Sequence, residues 1–277
     1  MTDLSGLPPL RETIAEHGLG ARKGLGQHFL LDLNLTRKIA RAADIGPDDV
    51  VIEVGPGPGG LTRALLETGA RVVAIERDER CRGALEELAE AADGRFDVEF
   101  ADALQADERA LLAARGLAPP VKIASNLPYN VGTELLVRWL TAPPGLWSRM
   151  ALMFQKEVAE RIVASPGTKA YGRLSVLADS ASRAKKAFDL PARAFTPPPK
   201  VDSSVVLFEA IAPEVDLKAL EKATRAGFGA RRKMLRASLK PLFGAATEET
   251  LERLGLDPTA RAEEIAPADW RRIAEEV

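Results

Sequence analysis

The stretch EVGPGPGGLT, residues 53–62, has residue types and spacing suited to holding a nucleotide. It follows a short apolar run and opens a helical pattern, which is the context that a nucleotide-binding turn requires. Gly55, Gly57 and Gly59 lack a Cβ atom, so the backbone can turn tightly and approach a ligand closely. Glu76 ends the next apolar run, where its carboxylate can accept hydrogen bonds from both hydroxyls of a ribose. The pattern therefore indicates a dinucleotide or S-adenosylmethionine.

Two prolines in this loop help to separate those ligands. Nicotinamide enzymes usually carry G-x-G-x-x-G, whereas this run is GPGPGG with Pro56 and Pro58. Proline has no backbone N–H, so the loop lacks two donors that a pyrophosphate would use. The methionine part of S-adenosylmethionine carries no phosphate and does not need them. Asp102 ends the third apolar run, where it can accept a hydrogen bond from an adenine amino group.

A second stretch, ASNLPYNVGT at residues 124–133, ends the fourth apolar run. The carboxamide oxygen of Asn126 can accept a hydrogen bond from an exocyclic amine, and a nearby carbonyl can take the second. Pro128 sets the turn, and Tyr129 offers a ring on which a flipped base can stack, worth roughly 1–3 kcal/mol. These residue types suit a site that holds one planar amine in front of an electrophilic methyl group.

Alternating strands and helices must position these residues. The predicted strands cover residues 48–55, 71–78, 98–104, 121–128 and 149–157, the predicted helices cover 60–70 and 81–92, and a terminal antiparallel pair covers 185–195 and 203–211. Near-continuous apolar strands between helices indicate a parallel sheet covered on both faces, which is the doubly wound α/β architecture. Because ligands bind outside the carboxyl ends of such strands, Gly55, Glu76, Asp102 and Asn126 should lie at one edge of the sheet.

The composition is that of a soluble globular protein. The 277 residues are 46% hydrophobic and 28% charged, and no apolar run approaches the roughly 18–20 residues that span a membrane. Cys81 is the single cysteine, and His17 and His28 are the two histidines, so an internal disulfide is excluded and a metal site is not expected. The N-terminal residues lack the pattern of a secretory signal, so we expect a cytoplasmic protein.

The composition changes near residue 212, where helical patterns replace the strands. We therefore predict a catalytic domain over 1–211 and a small helical domain over 212–277. Thr247, with acidic residues in the turn that follows, is expected to begin a helix.

A basic segment lies in this predicted helical domain although the net charge of the chain is −2. Residues 225–240, RAGFGARRKMLRASLK, hold six basic residues and no acidic residue. If 231–242 forms a helix, Arg232, Arg236 and Lys240 line one face of it, next to a face of leucines that can pack on the domain. Such a segment is either a solvated helix face or a surface that binds nucleic acid.

Six motifs together carry a specific resemblance. They are GLGQHFL (24–30), EVGPGPGGLT (53–62), NLPYN (126–130), FQKEVAERI (154–162), PGTKAYGRLS (166–175) and FTPPPKVDSSV (195–205). From about Arg22 to the C-terminal helices, the chain closely resembles the bacterial small-subunit rRNA adenine N6,N6-dimethyltransferases, the KsgA/RsmA family. The resemblance implies a Rossmann-like class I methyltransferase sheet and S-adenosylmethionine as co-substrate, without a metal.

The resemblance also implies roles for individual residues. The segment around Gln27, His28 and Leu30 would close over the methyl donor. Gly55 and Gly57 would line the methionine part of the donor, and Glu76 would hold its ribose. Asp102 would hold the adenine of the donor, and Asn126 would touch the donor. Asn126 would also position the target amine, and Tyr129 and Phe195 would stack on the two faces of the target adenine. His28 stands where the family usually has Asn. Because a cation beside a sulfonium is unfavourable, we expect His28 to be neutral when the donor is bound.

The substrate implied by the resemblance is a pair of adjacent adenosines in a hairpin loop near the 3′ end of small-subunit rRNA. The partner would be that rRNA or a pre-30S particle, bound by a monomer with Arg232, Lys233, Arg236 and Lys240 contacting RNA. Because residues 124–133 contain no His, Cys or Lys, direct in-line methyl transfer without a strong protein base is expected. Three alternatives remain: a large-subunit rRNA adenine dimethyltransferase, a non-catalytic RNA-binding factor on the same fold, and a Rossmann oxidoreductase.

Overall fold

The computed structural model describes residue 4 and residues 6–21, 26–230 and 232–277. The beginning of the GLGQHFL motif and Arg231 lie outside the described residues. Within those ranges, none of the helices has the length and apolar character needed to cross a lipid bilayer.

The strands form one large and one small sheet. The nine strands are β1 (Phe29–Leu30), β2 (Val50–Val54), β3 (Arg71–Glu76), β4 (Phe96–Phe100), β5 (Val121–Ser125), β6 (Trp147–Gln155), β7 (Ser182–Leu190), β8 (Phe195–Thr196) and β9 (Ser203–Ala210). The large sheet has seven strands in the order β4-β3-β2-β5-β6-β9-β7, and β1 pairs with β8 in the small one. The pairs β2–β3, β2–β5, β3–β4 and β5–β6 are parallel. This sheet confirms the α/β class, and β9 and β7 lie next to each other as expected.

Helices connect the strands of the large sheet and form the C-terminal part of the chain. They are α1 (Leu10–Glu16), α2 (Leu33–Ala42), α3 (Gly60–Glu67), α4 (Arg82–Ala91), α5 (Glu108–Ala113), α6 (Gly132–Leu140), α7 (Lys156–Ile162), α8 (Arg173–Ala181), α9 (Leu217–Phe228), α10 (Leu235–Ser238), α11 (Lys240–Phe243), α12 (Thr247–Arg253) and α13 (Pro267–Ala274). Leu65 and Leu66 of α3 and Leu85 of α4 are fully buried in one hydrophobic core with strand residues such as Val72. The helix α12 begins at Thr247, as predicted.

Strand β4 ends earlier than the sequence predicts. The sequence predicts a strand over 98–104, whereas β4 ends at Phe100. Asp102 instead forms a turn, because its carboxylate accepts a hydrogen bond from the backbone N–H of Leu104 at 3.0 Å. An aspartate that bonds the backbone two residues on favours a turn over a strand. Asp102 therefore lies just beyond the carboxyl end of the strand.

The chain divides into two compact units. The first consists of the described residues of Met1–Leu136, Gly145–Ala159 and Lys186–Leu207, and the second of Val137–Pro144, Glu160–Lys185 and Phe208–Val277. In the second unit, α8, α9 and α13 pack against one another, and an aromatic cluster lies among them. The ring of Phe228 lies 5.8 Å from that of Tyr171 and 5.2 Å from that of Trp270, and the Tyr171 hydroxyl donates to the carbonyl of Ile265 at 2.8 Å.

The basic segment does not form the single helix considered for residues 231–242. Arg232 and Lys233 precede α10, and the helix restarts as α11 at Lys240. Pro241 in the first turn of α11 has no backbone N–H and cannot continue the hydrogen bonding of α10. Leu239, between the two helices, is nevertheless fully buried, as the leucine pattern predicted.

Gly227 in α9 should be intolerant of a side chain. A Cβ atom at this position would lie 2.2 Å from Cη2 of Trp270. Alanine has a higher helix propensity than glycine by about 1 kcal/mol, so any loss of stability must come from this contact. We expect Gly227→Ala to lower the free energy of unfolding by about 1–3 kcal/mol in urea denaturation.

The control is Gly20→Ala, outside the helices, where a Cβ atom would meet nothing within 4 Å. Its free energy of unfolding should change by about 0.5 kcal/mol or less. A Gly227→Ala variant as stable as the parent would show that the helix and Trp270 are not in tight contact.

Candidate active site

The order of the sheet brings several predicted site residues to one edge. Strands β3 and β4 lie on one side of β2, whereas β5 and β6 lie on its other side, so the strand order reverses between β2 and β5. Such a switch point leaves a crevice outside the carboxyl ends of the two central strands. A pocket of about 820 Å³, including its open mouth, lies there. Its lining includes the predicted residues His28, Gly55, Gly57, Glu76, Asp102, Asn126 and Tyr129.

The glycine loop and Glu76 form the best-ordered part of this pocket. The backbone N–H groups of Gly57 and Asp78 donate to the two carboxylate oxygens of Glu76, at 3.0 and 2.7 Å. Gly57 has a φ of 55°, and a Cβ atom there would lie only 3.0 Å from the ring of Phe29. Burial raises the pKa of Glu76, and the backbone hydrogen bonds oppose this rise. The carboxylate is thus held in one orientation, as the binding of a ribose would require.

Glu53 is a buried carboxyl group under the glycine loop that does not line the pocket. Glu53 lies near the end of β2 and is only 1% exposed. The hydroxyl of Thr62 in α3 donates a hydrogen bond to its carboxyl group at 2.7 Å. Burial raises the pKa of Glu53 to about 8. At neutral pH the group is therefore protonated, and it links the strand before the loop to the helix after it.

A polar network connects Gly20 and Gln27, which precede β1, to the turn after β3. Gln27 donates a hydrogen bond to the carboxylate of Asp78 at 2.9 Å. Two guanidinium nitrogens of Arg80 donate to the same carboxylate, at 2.9 and 2.6 Å. Arg80 also donates to the carbonyl of Gly20 at 3.1 Å. Burial would raise the pKa of Asp78, but the hydrogen bonds from Arg80 and Gln27 outweigh it and lower the pKa. The charged carboxylate thereby holds Gln27 at the wall of the pocket.

Asp102 lies at the mouth of the pocket with one neighbouring cation. Its second carboxylate oxygen lies 3.4 Å from a guanidinium nitrogen of Arg77, which also lines the pocket. The side chain is partly exposed, so it remains able to accept a hydrogen bond from a ligand amino group.

The amide of Asn126 has a defined orientation. Its Nδ2 atom donates to the backbone carbonyl of His28 at 2.9 Å. Because the carboxamide nitrogen is engaged in this bond, the carboxamide oxygen is left as the acceptor. The backbone of His28 therefore sets which atom of Asn126 can receive an amine.

The side chains of His28 and Tyr129 stand together at the pocket. Their ring centroids are 5.5 Å apart, with a tilt of 31° between the planes. Nδ1 of His28 lies 2.8 Å from the carbonyl oxygen of Pro197, so Nδ1 must carry the proton of this bond. The Tyr129 hydroxyl is hydrogen-bonded to that of Ser203 at 2.6 Å, and burial raises the pKa of Tyr129. The tyrosine is thus a neutral, anchored ring.

Two predicted residues do not reach the pocket. Strand β1 pairs with β8 so that Leu30 stands opposite Phe195. The two side chains are only 5% and 2% exposed and belong to the hydrophobic core. Neither residue therefore lines the pocket with its side chain in this arrangement. Antiparallel pairing between these distant segments is what turns both side chains inward.

The predicted RNA-contacting residues lie in the second unit and are all exposed. Arg236 is 3.5 Å from the carboxylate of Glu248, which partly neutralises its charge. Arg232, Lys233 and Lys240 form no ion pair with a residue in the described part of the chain.

Sequence reasoning missed three residues that support the site. Glu53, Asp78 and Arg80 were not proposed, although each has a defined partner in the structure. The charge pattern Arg-Asp-Glu-Arg directly after Glu76 was the available signal for the second and third of them. Nothing in the sequence distinguished Glu53 from an ordinary residue at a strand end.

Comparison with known proteins decides which methyltransferases the chain is related to. A family model described as ribosomal RNA adenine dimethylase matches residues 18–277. The chain belongs to this family. The dimethylase is therefore an S-adenosylmethionine-dependent rRNA methyltransferase.

Curated relatives resemble the dimethylase over almost its whole length. Ribosomal RNA small subunit methyltransferase A of Phenylobacterium zucineum is 58% identical over 277 residues, covering 98% of this chain and 93% of the relative. The protein of the same name from Mesorhizobium japonicum is 58% identical over 280 residues, covering 99% of both.

Solved structures share the fold of the dimethylase. A dimethyladenosine transferase from Plasmodium falciparum matches with a TM-score of 0.73 and 25% identity, covering 89% of this chain and 96% of that one. The 23S rRNA methyltransferase ErmE matches with a TM-score of 0.63 and 27% identity, covering 90% and 98%.

The pocket of the dimethylase fits S-adenosylmethionine. The anchored carboxylate of Glu76 suits a ribose diol, and the carboxylate of Asp102 suits an exocyclic amine. At Gly57 the backbone approaches Phe29 so closely that a Cβ atom would fill the space. The pocket therefore offers an acceptor for the ribose, an acceptor for the adenine amine and a glycine backbone without a side chain.

The buried carboxyl group of Glu53 should make stability depend on pH. Below the ordinary pKa of a glutamate both the folded and the unfolded chain carry the proton, so the group has no effect. Between that value and about 8 only the folded chain keeps the proton, and its free energy of unfolding falls as the pH rises. The contribution is at most about 1.4 kcal/mol per pH unit.

The variant Glu53→Gln cannot titrate, so its stability relative to the parent should rise from about pH 5 to about pH 8 and then level off. Urea denaturation at several pH values measures this difference. The exposed Glu90→Gln serves as control and should show no such trend. A difference between Glu53→Gln and the parent that does not change with pH would show that Glu53 is charged in the folded protein.

Proposed function

We propose that the enzyme dimethylates N6 of two adjacent adenosines in a hairpin loop near the 3′ end of small-subunit rRNA. Support for the subunit comes from relatives of 58% identity whose name specifies the small subunit. The observation that carries the chemistry is the orientation of Asn126, whose Nδ2 is engaged by the carbonyl of His28. An acceptor oxygen held in this way suits an exocyclic amine.

S-Adenosylmethionine supplies a methyl group that is already activated as part of a sulfonium. Glu76 would hold its ribose, Asp102 its adenine, and Gly55 and Gly57 would let the backbone approach its methionine part. The protein has to orient the two reactants, because positioning alone can lower the barrier substantially.

The carboxamide oxygen of Asn126 would accept one N–H of the target amine and so turn the nitrogen lone pair toward the donor. Tyr129 would stack on the adenine, which must leave its own stack to enter the pocket. A hairpin loop offers bases that are already splayed. Residues 124–133 hold no His, Cys or Lys, so the proton would leave to water once the nitrogen has become positive.

The C-terminal domain, residues 212–277, would bind RNA while residues 1–211 bind the donor. Arg232, Lys233 and Lys240 are exposed cations suited to phosphate groups, and Arg236 would contribute less because of Glu248. We expect the enzyme to act as a cytoplasmic monomer on the rRNA of a pre-30S particle.

A large-subunit substrate is the nearest alternative. The structure of the 23S rRNA methyltransferase ErmE shares the fold at 27% identity. The relatives of 54–58% identity favour the small subunit. Labelled methyl transfer to undermethylated small and large subunits, with the modified nucleotides mapped, separates the two functions.

In this assay the parent enzyme should place two methyl groups on each of two adjacent adenosines of the small subunit. Asn126→Ala removes the acceptor for the amine and should slow methyl transfer by about 10²–10³-fold, which is typical of losing one preorganised hydrogen bond in an active site. Single-turnover rates measure the effect, and calorimetry with S-adenosylmethionine shows whether the donor still binds.

Asn34→Ala, on the exposed face of α2, is the matched control and should transfer methyl groups at the parent rate. Near-normal turnover by Asn126→Ala would remove this residue from the mechanism. Methylation of the large subunit alone by the parent enzyme would overturn the proposed substrate.

The combined substitution of Arg232, Lys233 and Lys240 by Ala should weaken binding to small subunits and flatten its salt dependence. The slope of log K against log salt concentration is negative, and each lost phosphate contact reduces its magnitude by about 0.7–0.9. Filter binding at several salt concentrations measures the slope.

Arg236→Ala is the internal comparison, since its guanidinium already lies 3.5 Å from Glu248. It should change the slope less than any one of the other three substitutions. An unchanged slope in the triple variant would show that these side chains do not touch phosphate groups.

A further inference from the structure

A second, smaller cleft shares a wall with the donor pocket. Leu127, Pro128 and Tyr129 line both. The cleft measures about 220 Å³ including its open mouth. The enclosed part of the cleft has room for little more than one water molecule, so a base would lie across its open mouth and turn one edge toward the cleft.

The FQKEVAERI motif forms the opposite wall of this cleft. Strand β6 runs parallel to β5, so its last residue, Gln155, comes out at the same sheet edge as Asn126. Met153 and Phe154 before it are buried and give the cleft an apolar floor. The motif therefore lines the second cleft and not the donor pocket.

Two polar side chains in the cleft have no hydrogen-bonding partner in the part of the chain that the structure describes. Gln155 and Thr133 both line it and are half-buried. Neither side chain forms a hydrogen bond with any residue within the described ranges. Apolar walls with a few convergent, unpaired polar groups are the usual composition of a ligand site.

Positive charge directly follows Gln155 along the chain. Lys156, which follows Gln155, and Lys186 both contact the carboxylate of Asp189, at 3.4 and 3.1 Å. The hydroxyl of Ser204 also donates to that carboxylate at 2.6 Å and, with the lysines, holds the pKa of Asp189 at about 2. Two lysines around one carboxylate leave an excess positive charge, which suits the phosphate of a nucleotide.

We propose that this cleft binds the adenine of the second adenosine while the first is methylated in front of Asn126, with Gln155 reading its edge. The proposal rests on the proposed function, because it takes the substrate to be an adjacent pair. Tyr129 separates the two sites, so neighbouring nucleotides could place one base on each side of it.

The amide of Gln155 matches adenine in particular. Its oxygen can accept from the N6 amine while its nitrogen donates to N7, a bidentate pair that glutamine forms with adenine. Single-stranded RNA exposes this base edge for reading. Gln155 would thus be a specificity-determining residue for the second adenosine.

The test uses small subunits assembled with rRNA in which either adenosine of the pair is replaced by purine ribonucleoside, which lacks the N6 amine. Methylation of the remaining adenosine is followed by mapping. For the parent enzyme we expect at least one of the two replacements to lower kcat/KM by about tenfold, within the range for one bidentate base contact. Gln155→Met, which keeps the length of the side chain but loses the amide, should methylate the replaced and the natural substrate with equal kcat/KM.

The control is Gln105→Met, an exposed glutamine outside both pockets, which should keep the parent's discrimination. If turnover by Gln155→Met is too slow to measure, equilibrium binding of the same substrates with S-adenosylhomocysteine gives the same ratio. Equal discrimination by Gln155→Met and the parent, or none at either position in the parent, would overturn the proposal. The proposed function would stand in both cases as long as the parent dimethylates both adenosines of the natural subunit.

Discussion

The buried carboxylate of Glu76 is the interaction on which the donor pocket depends. It is 5% exposed, and a carboxylate removed from water has to be compensated by hydrogen bonds. Two backbone N–H groups provide them, from Gly57 and Asp78. The glycine loop and the turn after β3 are therefore held around one side chain. Gly57 donates its bond from a left-handed backbone, and the space where a Cβ atom would stand is taken by Phe29.

The N-terminal segment completes the site through contacts with residues far away in sequence. The carbonyl of His28 orients Asn126, and Gln27 is held by the carboxylate of Asp78. The pairing of β1 with β8 holds the same segment from a third side. Residues 27–30 are thus positioned by three separate contacts, and they hold the amide of Asn126 in one orientation.

Most of the fold and much of the site could be predicted because their signals are local. Apolar runs predicted the parallel strands, and strand ends predicted that Glu76, Asp102 and Asn126 share one edge of the sheet. The end of β4 was placed too late because Asp102 forms a turn that its own side chain stabilises. The single helix over 231–242 was wrong because Pro241 interrupts its hydrogen bonding, a signal that the sequence did contain.

The sequence by itself determined the α/β class, the family and which residues end the strands at the pocket, since strand periodicity and motif spacing are properties of neighbouring residues. Only the tertiary structure decided which way the amide of Asn126 points, because its partner His28 lies far from it along the chain. It also decided that Phe195 turns into the core, through pairing with β1, and that Glu53 is protonated, through complete burial. Each of these depends on groups brought together by folding, and such proximity leaves no local pattern in the sequence.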